Sequence, residues 1–429
     1  MTVARGDATI TMQRQELIRA LEAVMRKQCA LWLTVVLFAA GCTQSSTSIP
    51  NTGTNPLHVG ALRIAHPGQS GKIQHVIVMV QGHRGFDNLF AGFPEADAPT
   101  HGYNHLGKIV PLKPMTESEQ PSEAPVKNAF QVAYDGGTMY GFDLVYPHEP
   151  LFPYHFVDRK QTSQYWKLAR QYALADHMFS TSISNSGFVA QLYLLTARSE
   201  VRSNVYVADH PSQMPWGCDA PAGTTTPIYT RRGIRHDGPY PCFAWNSLPA
   251  ELDAGAISWR YYLPSDELGS NAIDAVKDIR NGKDWSSNVV TPQTRILSDI
   301  QSGTLPHVAW VYPDQRDSDD PGTGSGSKWV ATVVGALRNS QYWQNSAVLI
   351  TWEASDYFYD NVAPPRYDLA ELGFRVPLIA VSPYAKQGYV SHDEHEFGSI
   401  LHFIEVVLGL PSLGATDERA DSLSDMFTL

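Results

Sequence analysis

The chain has 429 residues, of which 43% are hydrophobic and 17% are charged, so it is long enough for one large globular domain or two modest ones. Its formal net charge is -11. An acidic chain is a poor partner for nucleic acid, because binding to the phosphate backbone depends on clustered Lys and Arg.

The N-terminal segment has the features of an export signal. Arg26 and Lys27 precede the apolar run CALWLTVVLFAA, which leads into Gly and Cys at positions 41 and 42. A basic region, a short apolar run and small residues at the cleavage position are typical of a secretory signal, and the run is short for a membrane span. A cysteine directly after Ala-Gly resembles a bacterial lipoprotein signal, although position 39 is Ala rather than the usual Leu.

Residues 1–42 are therefore predicted to be a signal with Cys42 as the lipidated residue. The protein is expected to be exported to the cell envelope and held at the membrane by this N-terminal lipid. A secreted or periplasmic protein and an uncleaved anchor are the alternatives. Residues 43–72, rich in Ser, Thr, Pro, Asn and Gly, are predicted to be a flexible linker.

From residue 73 to residue 429 the pattern is that of an α/β domain. The runs HVIVMV (75–80), AVLITW (347–352) and VPLIAVS (376–382) are nearly continuously apolar, as in strands buried on both faces. Apolar residues at helical spacing precede the second run, and SILHFIEVVLGL after the third predicts an amphipathic helix. We expect a central, mostly parallel sheet flanked by helices, with these runs as neighbouring parallel strands.

Ligands of such sheets bind beyond the carboxyl ends of the strands. This rule nominates residues 81–87, residues 353–361 and the loop through His392. The loop-rich stretch from Tyr103 to Tyr262 is predicted to be an insertion that caps this edge.

Cys218 and Cys242 lie within the predicted cap. In an exported chain two such cysteines are most simply a disulfide. Two buried thiols are the alternative.

Long motifs resemble those of a known family. They include IQHVIVMVQGHRGFDNLFAGFPEAD, YWKLARQYALADHMF, WVYPDQRDSDDPG and GFRVPLIAVSPYAKQGYVSH. The chain resembles the bacterial phosphoesterase family that contains phospholipases C and a related acid phosphatase. The resemblance implies an alkaline-phosphatase-like fold, a divalent metal cofactor and a small phosphate-ester or phospholipid-like substrate. It also implies hydrolysis of phosphate monoesters or diesters by a metal-assisted Ser or Thr nucleophile.

Several positions depart from the family's motifs. The family's metal-binding Glu-Asn pair is Gly82-His83 here, and its late acidic pair is Glu353-Ala354. The nucleophile position is Gly187, which has no side chain to attack with. A one-residue slip of the alignment puts Ser186 there instead, although a serine in such a turn commonly caps the backbone.

Other family positions are altered or kept. Asp320 stands where the family has a histidine, and Asp356 stands where it has a glycine, whereas His392 is retained. Arg84 and Asp87 are also retained. They are expected to pair and brace the turn, with substrate binding as the alternative for Arg84.

Two interpretations follow from these residues. The first is a phosphoesterase with an altered metal site: His83, Glu353 and Asp356 would bind the metal, and Ser186, His392 and Asp320 would carry catalysis. The second is a catalytically inactive relative that binds a phosphorylated headgroup or an envelope partner. A purely structural envelope protein is a third, weaker interpretation.

Overall fold

The computed structural model describes residues 71–429. The predicted signal, the lipidation residue Cys42 and nearly all of the predicted linker lie outside these residues. Within residues 71–429, no helix has the length and apolar character needed to cross a membrane.

The strands of the described part are, in chain order, β1 His75–Gln81, β2 His101–Tyr103, β3 Ile109–Pro111, β4 Lys113–Met115, β5 His155–Val157, β6 Ala173–Ala175, β7 Met178–Phe179, β8 Glu200–Arg202, β9 Val205–Val207, β10 Ile228–Thr230, β11 Gly233–Arg235, β12 Trp259–Tyr262, β13 Val289–Val290, β14 Val308–Val311, β15 Ser346–Trp352, β16 Leu378–Val381, β17 Tyr389–Ser391 and β18 His395–Glu396. The α-helices are α1 Phe86–Phe90, α2 Ala129–Tyr134, α3 Ser163–Gln171, α4 Gly187–Thr196, α5 Leu248–Ala254, α6 Lys277–Arg280, α7 Asp284–Ser287, α8 Arg295–Ser302, α9 Gly326–Arg338, α10 Phe397–Leu408 and α11 Thr416–Arg419.

An eight-stranded sheet forms the centre of the domain, in the order β13-β12-β14-β1-β15-β16-β6-β17. β1 pairs in parallel with both β14 and β15, and every residue of β1 and β15 is buried. This burial explains their continuous apolar sequences, because helices cover both faces of a parallel sheet. The predicted α/β class with a mostly parallel central sheet is confirmed.

The direction of β16 corrects one expectation. The run VPLIAVS forms β16, which is antiparallel to β15 rather than parallel. The physical reason is that the chain returns from β15 through the loop 353–377 at the same edge of the sheet, without the helical crossover that a parallel pair requires. β17 is parallel to β6, and β6 is antiparallel to β16, so His392 still follows a strand that ends at the same edge as β1 and β15.

Both predicted helices are present. The apolar residues before β15 lie on α9, and SILHFIEVVLGL falls within and just after α10. α10 ends at Gly409, whose φ of 69° is in the left-handed region that favours glycine.

The stretch from Tyr103 to Tyr262 is not only a cap, which corrects the predicted insertion. It contains the four-stranded antiparallel sheet β8 to β11, but it also supplies β6 and β12 to the central sheet. α4, from the same stretch, is buried at every residue after Gly187. Short strands separated by long loops hid these core elements from the sequence pattern.

The predicted disulfide is present in the structure. Cys218 and Cys242 are bonded, with their Cα atoms 4.5 Å apart. The bridge lies outside the central sheet.

Candidate functional site

The site begins where two parallel strands end side by side. Gln81 of β1 pairs with Trp352 of β15, and the Glu353 backbone N–H donates to the Gln81 carbonyl at 3.1 Å. The next residues, Gly82 and His83, therefore leave the sheet next to Glu353. The predicted placement of residues 81–87 and 353–361 at one edge agrees with this geometry.

His83 and Asp320 form a tight pair at this edge. One carboxylate oxygen of Asp320 accepts hydrogen bonds from the His83 backbone N–H at 2.8 Å and from Nδ1 at 2.6 Å. Burial alone would lower the pKa of His83, but the carboxylates of Asp320, Glu353 and Asp356 outweigh it and raise this pKa to about 10. Burial likewise works to raise the pKa of Asp320, and His83 outweighs it and holds that pKa far below its usual value. His83 is thus a fixed cation at neutral pH.

Asp320 fills the space beside Gly82. A Cβ added to Gly82 would lie 2.4 Å from Cγ of Asp320 and 2.4 Å from one of its carboxylate oxygens. Real Cβ contacts are essentially never that short. A glutamate at position 82, where the family's motif is predicted to have its metal-binding Glu, would therefore clash with Asp320.

Glu353 fills the space beside Gly187 in the same way. A Cβ on Gly187 would lie 2.4 Å from a carboxylate oxygen of Glu353. The other oxygen accepts a hydrogen bond from Gln191 Nε2 at 2.7 Å, and Gln191 is in turn held by the backbone N–H of Ala272. Burial raises the pKa of Glu353 to about 7, with His83 opposing the shift. A carboxyl group thus occupies the space of a side chain at Gly187, the predicted nucleophile position.

Ser186 is the residue before α4, and its side chain makes no capping hydrogen bond. The residue is buried, with 8% of its surface exposed. No hydrogen bond joins its hydroxyl to His83, Glu353 or Asp320 in the described structure, so the partner that would remove its proton is missing. The geometry therefore provides no general base for Ser186 in its predicted role as the nucleophile.

Asp356 lies in the loop after β15. Its backbone N–H donates to Asn185 Oδ1 at 2.9 Å. Asp356 and Tyr357 have φ of 53° and 57°, the left-handed conformation that glycine adopts without strain. Burial raises the pKa of Asp356 to about 6, against His83 and Arg84.

Arg84 is not at the pocket, which corrects its predicted role in substrate binding. Its side chain is fully buried, and it donates to the carbonyl oxygens of Asp319 at 2.7 Å and Glu117 at 2.6 Å. The expected pairing with Asp87 is also wrong, because Asp87 pairs with Arg375 at 3.3 Å. Arg84 does brace the turn, but through backbone carbonyls.

His392 is separate from the His83 pair. Its Nδ1 lies 2.9 Å from a carboxylate oxygen of Asp176, and 57% of its side chain is exposed. It makes no hydrogen bond or ion pair with His83, Asp320 or Glu353 in residues 71–429. Its predicted catalytic role stays a prediction that this geometry does not join to the rest of the site.

A small pocket of about 80 Å³ opens at this edge. It is lined by Gly82, Asp320 and Glu353, together with Asp314 from the same motif as Asp320. Glu267, which lies in no quoted motif, also lines it. Burial raises the pKa of Glu267 to about 8, and the nearby Glu353 adds to the shift. No Lys or Arg is among the described residues that line the pocket, and the His83 imidazolium lies behind Asp320.

The residues of this pocket do not fit a divalent metal ion. His83 Nδ1 is already bonded to Asp320, Glu353 is held by Gln191, and Gly82 and Ala354 offer no side-chain ligand. Within residues 71–429, one group of three His, Cys, Asp or Glu residues brings its ligand atoms within 4.8 Å of one another, and it contains none of these side chains. Zinc, calcium and magnesium sites need more converging ligands than this pocket supplies.

The model of the phosphoesterase family matches residues 73–411. The chain belongs to the phosphoesterase family. Its predicted resemblance to that family, and with it the α/β fold class, is confirmed. Hydrolysis of phosphate esters is the chemistry associated with this family.

Curated relatives are phospholipases C. The chain is 22% identical to the non-hemolytic phospholipase C of Pseudomonas aeruginosa, over 86% of this chain and 58% of that protein. It is 23% identical to phospholipase C B of Mycobacterium tuberculosis, over 84% of this chain and 78% of that protein. The chain therefore spans little more than half the length of the Pseudomonas aeruginosa phospholipase. A solved member of the alkaline phosphatase superfamily from Vibrio parahaemolyticus aligns with 84% of this chain and 73% of its own, at 9% identity and a TM-score of 0.41.

Proposed function

We propose that this phosphoesterase-family protein does not perform metal-assisted hydrolysis of phosphate esters, and that it acts as a binding protein at the cell envelope. One observation carries the proposal: the carboxyl group of Glu353 occupies the space of the family's nucleophile at Gly187. The loss is compounded at Gly82, where Asp320 takes the space of a metal ligand. Removing one member of a catalytic unit commonly costs as much as removing several.

Electrostatics supports a ligand other than a phosphate dianion in the pocket. Asp314 and Asp320 line it as carboxylates, and no Lys or Arg lines it. Glu267 and Glu353 also line it, and their pKa values of about 8 and 7 leave them only partly ionised at neutral pH. Like charges at short range in a partly buried site repel strongly, because water screens them poorly there. We therefore favour an envelope partner that presents a neutral or cationic group to the pocket over a phosphorylated headgroup. The proposed N-terminal lipid at Cys42 would hold the protein at the membrane where such partners lie.

The test is an activity panel on the purified wild type. Para-nitrophenyl phosphate, bis-para-nitrophenyl phosphate and phosphatidylcholine vesicles would be assayed with Mg²⁺, Ca²⁺, Mn²⁺ or Zn²⁺ and with EDTA. We expect rates equal to those of a Glu353→Gln preparation made in parallel, which controls for contaminating phosphatases. Metal-dependent turnover that Glu353→Gln or Ser186→Ala abolishes would overturn the proposal.

A second candidate is metal-independent hydrolysis at the rebuilt site. It is favoured by the His83–Asp320 pair, which fixes Nδ1 and leaves Nε2 without a hydrogen-bond partner, next to a Glu353 whose pKa is about 7. Glu353 is suited to general acid and base catalysis near neutral pH, and the His83 imidazolium is suited to stabilising developing negative charge. Turnover that persists in EDTA and is lost in His83→Gln would establish this second function.

A further inference from the structure

A second group of ligand-type side chains lies outside the cleft, at the C-terminal end of the chain. His395 begins β18, Ser391 ends β17, and Asp421 and Asp425 belong to the segment after α11. His395 and Ser391 are fully buried, whereas 33% of the Asp421 side chain and 18% of the Asp425 side chain are exposed. The group is therefore a buried imidazole with a solvent-facing acidic side.

Asp421 fixes the orientation and the tautomer of the imidazole. Its Oδ1 accepts a hydrogen bond from His395 Nδ1 at 2.8 Å and another from the Ser399 hydroxyl at 2.6 Å. Its Oδ2 accepts from the backbone N–H of Leu423 at 2.7 Å. A carboxylate held this way is an acceptor, so Nδ1 carries the hydrogen and the neutral ring presents a lone pair on Nε2.

On the Nε2 side, one carboxylate oxygen of Asp425 has no donor. Nε2 lies 2.9 Å from Ser391 Oγ and 3.8 Å from Asp425 Oδ1. The Ser391 hydroxyl also has Asp425 Oδ2 as an acceptor at short range, and the Tyr389 hydroxyl donates to the same oxygen at 3.3 Å. Asp425 Oδ1, by contrast, is buried with no hydrogen-bond partner among the described residues. Buried polar atoms without a partner are rare in native structures and call for a missing group.

A catalytic triad is excluded by the burial of the serine. Ser391, His395 and Asp421 follow one another in hydrogen-bond order, as a nucleophile, base and orienting acid would. Ser391, however, has none of its surface exposed, so no substrate reaches its hydroxyl.

We propose that His395 Nε2, the Asp425 carboxylate and Ser391 Oγ bind one divalent transition-metal ion of the zinc type, with Asp421 as the positioning residue. Tetrahedral ligands at the bond lengths of zinc, about 2.0–2.2 Å, lie roughly 3.3 Å from one another. The distances from Nε2 to Ser391 Oγ and Asp425 Oδ1, 2.9 and 3.8 Å, bracket this value. A carboxylate on the far nitrogen of a ligating histidine is the usual supporting arrangement.

The ion would connect β17 and β18 to the C-terminal segment. That segment buries Leu423, Met426 and Phe427 against the domain. The proposed role is therefore to stabilise the docking of residues 416–429, and it is independent of the pocket at Gly82.

The test uses the purified full chain, stripped with EDTA and then titrated with Zn²⁺ and with Co²⁺. We expect one ion per chain by calorimetry, a visible absorption band with Co²⁺ and a rise in Tm with Zn²⁺. Asp425→Asn should weaken binding at least tenfold, His395→Gln should abolish it, and Asp421→Asn should weaken it about 10- to 100-fold.

Two controls isolate the site. Asp393→Asn removes an exposed charge two residues before His395, and Glu353→Gln alters the cleft; both should bind the ion like the wild type. Absence of ion binding by the wild type would overturn the proposal. Wild-type affinity in Asp425→Asn would overturn it as well. The Asp425 variant keeps the proposal testable even when His395→Gln fails to fold.

Discussion

At the scale of single residues, the altered site shows paired exchanges rather than isolated losses. Where the family's motif has a side chain at positions 82 and 187, this chain has glycine, and a carboxyl group from elsewhere fills each space. Asp320 takes the first place and Glu353 takes the second. Restoring Glu at 82 and Ser at 187 therefore cannot rebuild the family's site unless Asp320 and Glu353 are also cut back.

The pairing of Gly82 with Asp320 is testable by a double-mutant cycle. Gly82→Ala should lower the free energy of unfolding by about 1–3 kcal/mol, the usual cost of an overpacked buried site. The Asp320 side chain is short and accepts two hydrogen bonds from His83, so it has little room to move away. The cost should persist in an Asp320→Asn background, which keeps the size of the side chain, and vanish in Asp320→Ala. An equal cost in all three backgrounds, measured by urea unfolding, would show that the two positions do not interact.

Glu353 predicts a pH dependence of stability. Its folded pKa of about 7 lies above the ordinary value of 4.5 for a glutamate. Its contribution to the free energy of unfolding is therefore fully present below the unfolded pKa and is lost as the pH rises through 7. Relative to wild type, Glu353→Gln should gain about 2 kcal/mol of unfolding free energy between pH 5 and pH 8.5. Urea unfolding at both pH values measures this difference. The exposed Glu418→Gln is the control and should show no such gain; a gain of equal size there would contradict the assignment.

At the scale of elements, the sequence predicted strands better than it predicted their directions. The continuous apolar runs of β1 and β15 predicted these strands correctly, because strands covered on both faces are continuously apolar. The same pattern cannot show that the loop 353–377 returns the chain antiparallel into β16. The three-residue strand β6 was hidden in a loop-rich stretch, since so short a run carries no periodicity.

The candidate site was also predictable only in part: the sequence predicted its location but not its packing. The rule on the carboxyl ends of strands placed Gly82, His83 and Glu353 together, and the structure agrees. The sequence could not show that Asp320 and Glu353 fill the spaces of missing side chains, because that depends on packing across distant segments. Glu267 and Gln191 lie in none of the recognised motifs. Arg84 was assigned to the wrong neighbours because its contacts also come from distant segments.

The disulfide yields a prediction for the loop-rich stretch around it. Replacing both Cys218 and Cys242 by Ser opens a loop with a sequence separation of 24 residues, which costs about 3 kcal/mol in the chain-entropy model. Thermal unfolding should detect the loss. Amide hydrogen exchange should become faster around the 3₁₀ turn at residues 217–219. The amides of β1 and β15 should keep their protection from exchange, since the bridge lies outside the sheet. Loss of protection in β1 as well would mean that the bridge supports the whole domain.

At the scale of the whole molecule, the acidic charge and the acidic pocket point in one direction. The net charge of -11 and a pocket without Lys or Arg both disfavour anionic ligands free in solution. Selective contact with a partner then depends on where the protein is held. The proposed binding function therefore depends on the proposed lipid anchor as well as on the cleft.

The lipid anchor is the prediction at this scale. Residues 1–42 end in a cysteine after Ala-Gly, the position that is lipidated in proteins with such a signal. A lipid of this kind partitions into the membrane because each buried methylene contributes about 0.8 kcal/mol. Cys42→Ser should move the protein from the membrane fraction to the soluble fraction or leave its signal uncleaved, as read by fractionation and by the mass of the intact protein. Cys29→Ser, within the apolar run, is the matched control and should leave both unchanged. Unaltered fractionation and mass in Cys42→Ser would exclude lipidation at this residue and leave plain secretion or an uncleaved anchor as the explanation.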